Sequence, residues 1–186
     1  MKKNLLLTVL FVLGITLPIQ MQAQEKEKGF FVEGSISFGE DEKSSGRNEH
    51  YLMLKPTIGY QFSPKWDAGI KLEFQSGRSE GSTCFGIIPF ARYSFCELGK
   101  VRLFGEAKAS RYNKKYSWMG EDNDYIEAGL SLGAYFPLNK HFKFVCQYLH
   151  IGYSERFKEE GASIHSGNWG IDTDFKRLSL GINFIF

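Results

Sequence analysis

From Gly29 to Phe186 the chain passes through eight blocks in which apolar and polar residues alternate one by one. A period of two puts successive side chains on opposite faces of an extended strand, so each block predicts a strand with one apolar and one polar face. The first, about Gly29 to Gly39, sets Phe30, Val32, Gly34, Ile36 and Phe38 against Glu33, Ser35 and Ser37. The second, about Tyr51 to Phe62, opposes Leu52, Leu54, Pro56, Ile58, Tyr60 and Phe62 to Met53, Lys55, Thr57, Gly59 and Gln61. In the third, Trp66, Ala68, Ile70, Leu72 and Phe74 oppose Asp67, Gly69, Lys71, Glu73 and Gln75. Further strands are expected at about Cys84 to Phe95, Val101 to Ser110, Tyr125 to Phe136, Phe142 to Tyr153 and Lys176 to Phe186, the seventh being the least clean.

The connections alternate in length. Short ones fall at Ser63 to Lys65, Cys96 to Lys100 and Pro137 to His141; long polar ones run about Glu40 to His50, Ser76 to Thr83, Arg111 to Asp124 and Ser154 to Asp174. Strands of about ten residues match a tilted crossing of a bilayer. Short turns on one side and long loops on the other predict an all-β fold: an eight-stranded antiparallel up-and-down transmembrane β-barrel with short periplasmic turns and long extracellular loops. Tyr60, Phe62, Trp66, Tyr93, Phe95, Phe136 and Phe142 cluster at the short-turn end with Phe184 and Phe186, where they would form an aromatic girdle at one interface. The competing architecture is a secreted barrel with its apolar face turned inward around a ligand. An eight-stranded barrel has too little interior for so many Phe, Leu and Ile side chains, whereas the glycine-rich polar face fits it.

Ahead of the first strand stand Lys2 and Lys3, an apolar run from Leu5 to Leu17, and Met21-Gln22-Ala23. A basic start, a short apolar stretch and a small residue at the cut describe a secretory signal peptide at 1–23, with the barrel domain at 24–186. Nothing suggests a lipid anchor, since Gln24 and not a cysteine follows the cut. The two leader lysines carry the whole formal charge of +2, so the remainder is balanced and offers no basic excess for nucleic acid. Cys84 and Cys96 fall near opposite ends of one strand, too far apart to bridge, and all three cysteines read as free thiols.

With the leader, the eight strands, Pro56-x-x-Gly59-Tyr60, Pro89-Phe90-Ala91-Arg92-Tyr93 and the terminal Phe186, the chain resembles the small outer-membrane β-barrel (porin-like) family of Gram-negative bacteria. It is similar in architecture to the outer membrane protein A barrel domain and to outer membrane protein X. The resemblance implies an outer-membrane location and makes the last strand, with Phe184 and Phe186, the signal read by the barrel-assembly machinery.

The inward face carries the most chemistry. Pairing about the Pro64 turn puts Lys55 opposite Glu73, and pairing about the next short turn brings Arg92 diagonal to Glu106. Glu33, Lys71, Lys108 and Glu127 share that face, so a connected ion-pair network is expected in a lumen where isolated charges would be costly. A network of this kind plugs the barrel; exchange of partners within it would instead open a narrow path for ions or very small solutes. Pro56 and Pro89 each remove a ladder hydrogen bond in mid-strand and predict a bulge or kink, or else a weak seam in the wall.

Catalysis is poorly supported. His50, His150, Ser154, Glu155, His165 and Ser166 lie toward the long loops, but His150 and Ser154 would stand about 13 Å apart on an extended strand, and no triad aligns. A lipid A hydrolase or transferase is therefore the third reading, and no enzyme activity is assigned. The four histidines lack metal-ligand spacing and read as solvated loop residues; no cofactor is called for. Acidic residues in the first loop (Glu40, Asp41, Glu42, Glu49) and the fourth (Glu155, Glu159, Glu160, Asp172, Asp174) suit contact with lipopolysaccharide. Tyr112, Tyr116, Trp118 and Met119 suggest a sticky loop tip for a protein or glycan partner. The leading expectation is a barrel that supports envelope integrity or surface interaction through its loops.

Overall fold

A computed structural model describes residues 28–42, 48–77, 83–115, 122–155, 169–173 and 177–186. The alternating blocks form β1 (Gly29–Glu42), β2 (Asn48–Gln61), β3 (Trp66–Gly77), β4 (Thr83–Leu98), β5 (Val101–Lys115), β6 (Asp122–Pro137), β7 (Phe142–Ser154), β8 (Trp169–Asp172) and β9 (Ser179–Ile185). Each of the first seven pairs antiparallel with its successor. β7 also pairs with β9, and β9 pairs with β1, which closes the barrel. β8 pairs with the outer end of β7, so the eighth wall position is filled by two pieces, β8 and β9, rather than one continuous strand from Lys176. The leader lies outside the described residues.

The apolar faces point outward. Phe30 is 64 % exposed, and Phe38, Ile58, Phe62, Trp66, Ile70, Phe95 and Leu130 share that outer surface, while Glu33, Lys71, Arg92, Glu106 and Glu127 are buried. Such a distribution is that of a barrel dissolved in lipid: the strands pair into a closed wall, and the hydrocarbon meets apolar side chains. At the short-turn end, Tyr60 packs on Phe62, Trp66 on Tyr93, and Phe184 on both Phe142 and Phe186. Two of the short turns are built alike. Ser63 Oγ accepts the Lys65 and Trp66 N–H groups, and Asn139 Oδ1 accepts those of His141 and Phe142, satisfying the backbone where the ladder stops. The remaining turn is tighter than expected. β4 runs on to Leu98, which pairs with Val101 across Gly99-Lys100, and Gly99 adopts φ +62°, which glycine tolerates without steric cost.

Neither mid-strand proline makes a bulge. β2–β3 pairing lapses at Lys55 and Pro56, and β4–β5 pairing at Ile88 and Pro89, yet the register is identical on both sides of each lapse. The bulges lie elsewhere, between Ser94 and Cys96 on β4 and opposite the Leu130–Leu132 step on β7. In the second, Leu149 takes φ +71°, a left-handed value that a non-glycine residue reaches only under constraint. It switches the phase of β7: Lys143, Val145 and Gln147 are buried before it, His150, Gly152 and Ser154 after it. That switch is why the seventh strand alternates poorly in the sequence.

Candidate functional site: the charged lumen

Glycines on the inward face make room for the aromatic rings beside them. A Cβ built on Gly59 would stand 2.4 Å from the Phe31 ring, one on Gly133 2.3 Å from Phe104, and one on Gly86 2.5 Å from Tyr112. Toward the short turns, Phe31, Phe90 and Ile185 form one buried cluster, and Phe104, Tyr135 and Val145 another.

Between these clusters Arg92 reaches across the barrel. Its Nη1 and Nη2 donate to the two Glu33 carboxylate oxygens at 2.7 and 2.9 Å, its Nε to Glu106 at 2.7 Å, and Nη1 also to the Tyr135 hydroxyl at 2.8 Å. Tyr135 donates onward to Asp67 at 3.0 Å. Lys71 donates to both Glu106 oxygens and to Gln147, Gln147 donates to Glu106, and Asn183 donates to Glu33. The guanidinium carbon lies 4.5 Å from the Phe90 ring centroid and 5.1 Å from that of Phe104. Arg92 and Glu106 have no solvent exposure. The group draws on β1, β3, β4, β5, β6, β7 and β9, and Lys143 of β7, which donates to Gln61 at 2.6 Å, ties in β2.

Arg92 stands directly opposite Glu106 rather than diagonal to it, because the Ser94–Cys96 bulge absorbs one residue between the turn and the pair. Lys55 sits 3.5 Å from Glu73, apart from the Arg92 group. The expected single network is thus divided. Glu127 turns to Arg177, which grips both its carboxylate oxygens at 3.0 Å and also donates to Asp172 at 2.7 Å, while Ser154 donates to Glu127 at 2.7 Å. Lys108 makes no ion pair or hydrogen bond among the described residues; it lines a cavity with Lys55, Lys71, Glu73, Ser131 and Arg177.

Several outer-end expectations are corrected. Tyr112 is no loop tip: β5 extends to Lys115, and Tyr112 turns inward, 4 % exposed, stacked 4.6 Å from Tyr125. Tyr116, Trp118, Met119, His165 and Ser166 lie outside the described residues. His150 is not a solvated histidine, since the Leu149 bulge turns it into the lumen with no exposure. His141 packs against Phe184 in its turn, and Glu155 accepts the Ile126 N–H. Asp172 serves Arg177 rather than an open acidic loop. Among the described residues the three cysteines are unbridged.

Sequence parity could have found Tyr135, Asp67 and Asn183, which lie on the polar faces of expected strands, whereas Gln147 belongs to the poorly alternating seventh. Arg177 has the same inward parity on the strand expected from Lys176, although the structure places it in the gap between β8 and β9.

Comparison with known proteins agrees with this architecture. A family model described as "Outer membrane protein beta-barrel domain" matches residues 8–186. No curated protein matches the chain. Among solved structures, the crystal structure of Neisserial surface protein A (NspA) superposes with a TM-score of 0.59 at 16 % identity, covering 87 % of this chain and 100 % of that one. At that identity the likeness concerns the fold.

Proposed function

The chain belongs to the outer membrane protein β-barrel domain family, and from that premise we propose a barrel with a plugged lumen that serves envelope integrity or surface interaction through its external loops. The observation that carries this reading is the Arg92 group. Opening a path past it would separate a guanidinium from two carboxylates in a site without solvent, and parting a buried pair costs about 3–5 kcal/mol. The packed rings of Phe31, Phe90 and Phe104 support the same reading, since they are buried in the lumen beside those charges. In this reading the leader is removed ahead of Gln24, and the strand ending at Phe184 and Phe186 is recognised by the barrel-assembly machinery. The loops meet lipopolysaccharide and a protein or glycan partner, and the barrel performs no catalysis.

Single-channel recording of the refolded protein in a planar bilayer tests the plug. A silent wild type that gains discrete steps in Arg92→Ala is the expected result. Discrete steps in the wild type would overturn the plug in favour of a narrow pore, and a changed lipid A mass upon deletion would favour the enzymatic alternative.

A further inference from the structure

The cavity above the Arg92 group is lined by four cations, Lys55, Lys71, Lys108 and Arg177, against the single carboxylate of Glu73. Three of the four have acceptors. Lys55 faces Glu73, Lys71 is engaged by Glu106 and Gln147, and Arg177 by Glu127 and Asp172. The Lys108 ammonium has none among the described residues. On the neighbouring strand, Ser131 Oγ lines the same cavity, is 1 % exposed as a residue, and has no hydrogen-bond partner among the described residues. The two positions are diagonal neighbours on the inward face, since Lys108 opposes Gly129 and Glu106 opposes Ser131.

An ammonium without a hydrogen-bond acceptor and an unsatisfied hydroxyl are each costly inside a protein, and one acceptor placed between them relieves both. Water would satisfy the hydrogen bonds, and an anion would in addition be attracted by the four basic side chains that line the cavity. A divalent cation would be repelled by the four basic groups. At 30 Å3 the cavity takes about two water-sized particles, too little for a phosphate group.

We propose that the outer half of the lumen binds a halide-sized monoanion between the Lys108 ammonium and the Ser131 hydroxyl. The site is independent of whether the lumen conducts.

Bromide is the probe. Crystals of the refolded protein grown in sodium bromide should show an anomalous peak within hydrogen-bonding distance of Lys108 Nζ and Ser131 Oγ. In detergent, the thermal unfolding midpoint should be higher in bromide than in gluconate at equal ionic strength. Lys108→Gln should raise the half-saturating bromide concentration about ten- to a hundredfold, the loss of a charge-assisted contact. Ser131→Ala, which leaves every charge in place, should raise it roughly fivefold, in keeping with one neutral hydrogen bond, and it carries the test if Lys108→Gln does not refold. Bromide peaks confined to the surface, or a bromide response identical in wild type and both variants, would overturn the proposal.

Discussion

The two halves of the lumen are built from the same kinds of residue and differ in how completely those residues satisfy one another. In the periplasmic half every donor nitrogen of the Arg92 guanidinium has an acceptor, each carboxylate it meets has a second donor, and aromatic rings pack on both sides. In the outer half a pair stands at 3.5 Å, Lys108 faces a cavity, and the wall itself is divided between β8 and β9. Placing charges inside a barrel is thus not enough to close it. Arg177 also holds two carboxylates, but from the border of the cavity; closure comes from such a cation at the centre, where Arg92 is packed against aromatic rings.

Removing that cation is the strongest way to break the contrast. Arg92→Met should destabilise the barrel by about 3–5 kcal/mol, because Glu33 is left without a cation in a buried site while Glu106 keeps Lys71. Urea unfolding from lipid vesicles would measure it. Adding Glu33→Gln to the same chain should recover most of the loss, since the cost lies in a stranded charge and not in missing attraction, and Glu106 stays in place as the partner of Lys71. A double variant as unstable as the single one would mean that Arg92 acts through its packing on Phe90 and Phe104.

A pair of glycine substitutions sharpens the contrast at smaller cost. The methyl of Gly133→Ala would lie 2.3 Å from the Phe104 ring and 2.7 Å from the Cys146 carbonyl oxygen, and Phe104 is fixed in a packed cluster. The atoms nearest the methyl of Gly86→Ala belong to the Tyr112 ring, at 2.5 Å, and Tyr112, although stacked on Tyr125, borders the cavity into which it can shift. Overpacking should therefore cost about 2–3 kcal/mol at Gly133 and roughly 1 kcal/mol at Gly86. Equal losses in the two unfolding curves would show the halves to be equally tight.

The sequence disclosed the wall better than the lumen, for a physical reason. A closed sheet in lipid repeats one rule at every residue, apolar out and inward-facing groups opposite, so Phe30 through Phe38 announce β1 from their spacing alone. The lumen depends on register, which single bulges reset. One bulge brought Arg92 level with Glu106, and another turned His150 inward through a left-handed Leu149 that no composition rule forecasts. Tyr112 was misplaced because β5 continues beyond the stretch that lipid patterns, where an apolar outer face is no longer needed to mark a strand. The pairing of Arg177, inward by parity on the strand expected from Lys176, stayed hidden because its partners, Glu127 and Asp172, come from β6 and β8, and β8 is too short for periodicity to show.

The smallest predicted effect lies at Lys55 and Glu73. Their side chains are 12 % and 10 % exposed and stand 3.5 Å apart beside the cavity, so both retain access to water that Arg92 lacks. A double-mutant cycle through Lys55→Ala and Glu73→Ala should return a coupling of about 1 kcal/mol or less, nearer to a surface pair than to a buried one. Other cations border the same cavity, so Glu73 without Lys55 is not left facing apolar walls alone. Salt should weaken the coupling further, because ions that reach the cavity screen the pair, whereas the Arg92 contacts should respond little. A coupling above about 3 kcal/mol, insensitive to salt, would place Lys55 and Glu73 in the same class as the Arg92 group and remove the distinction between the halves.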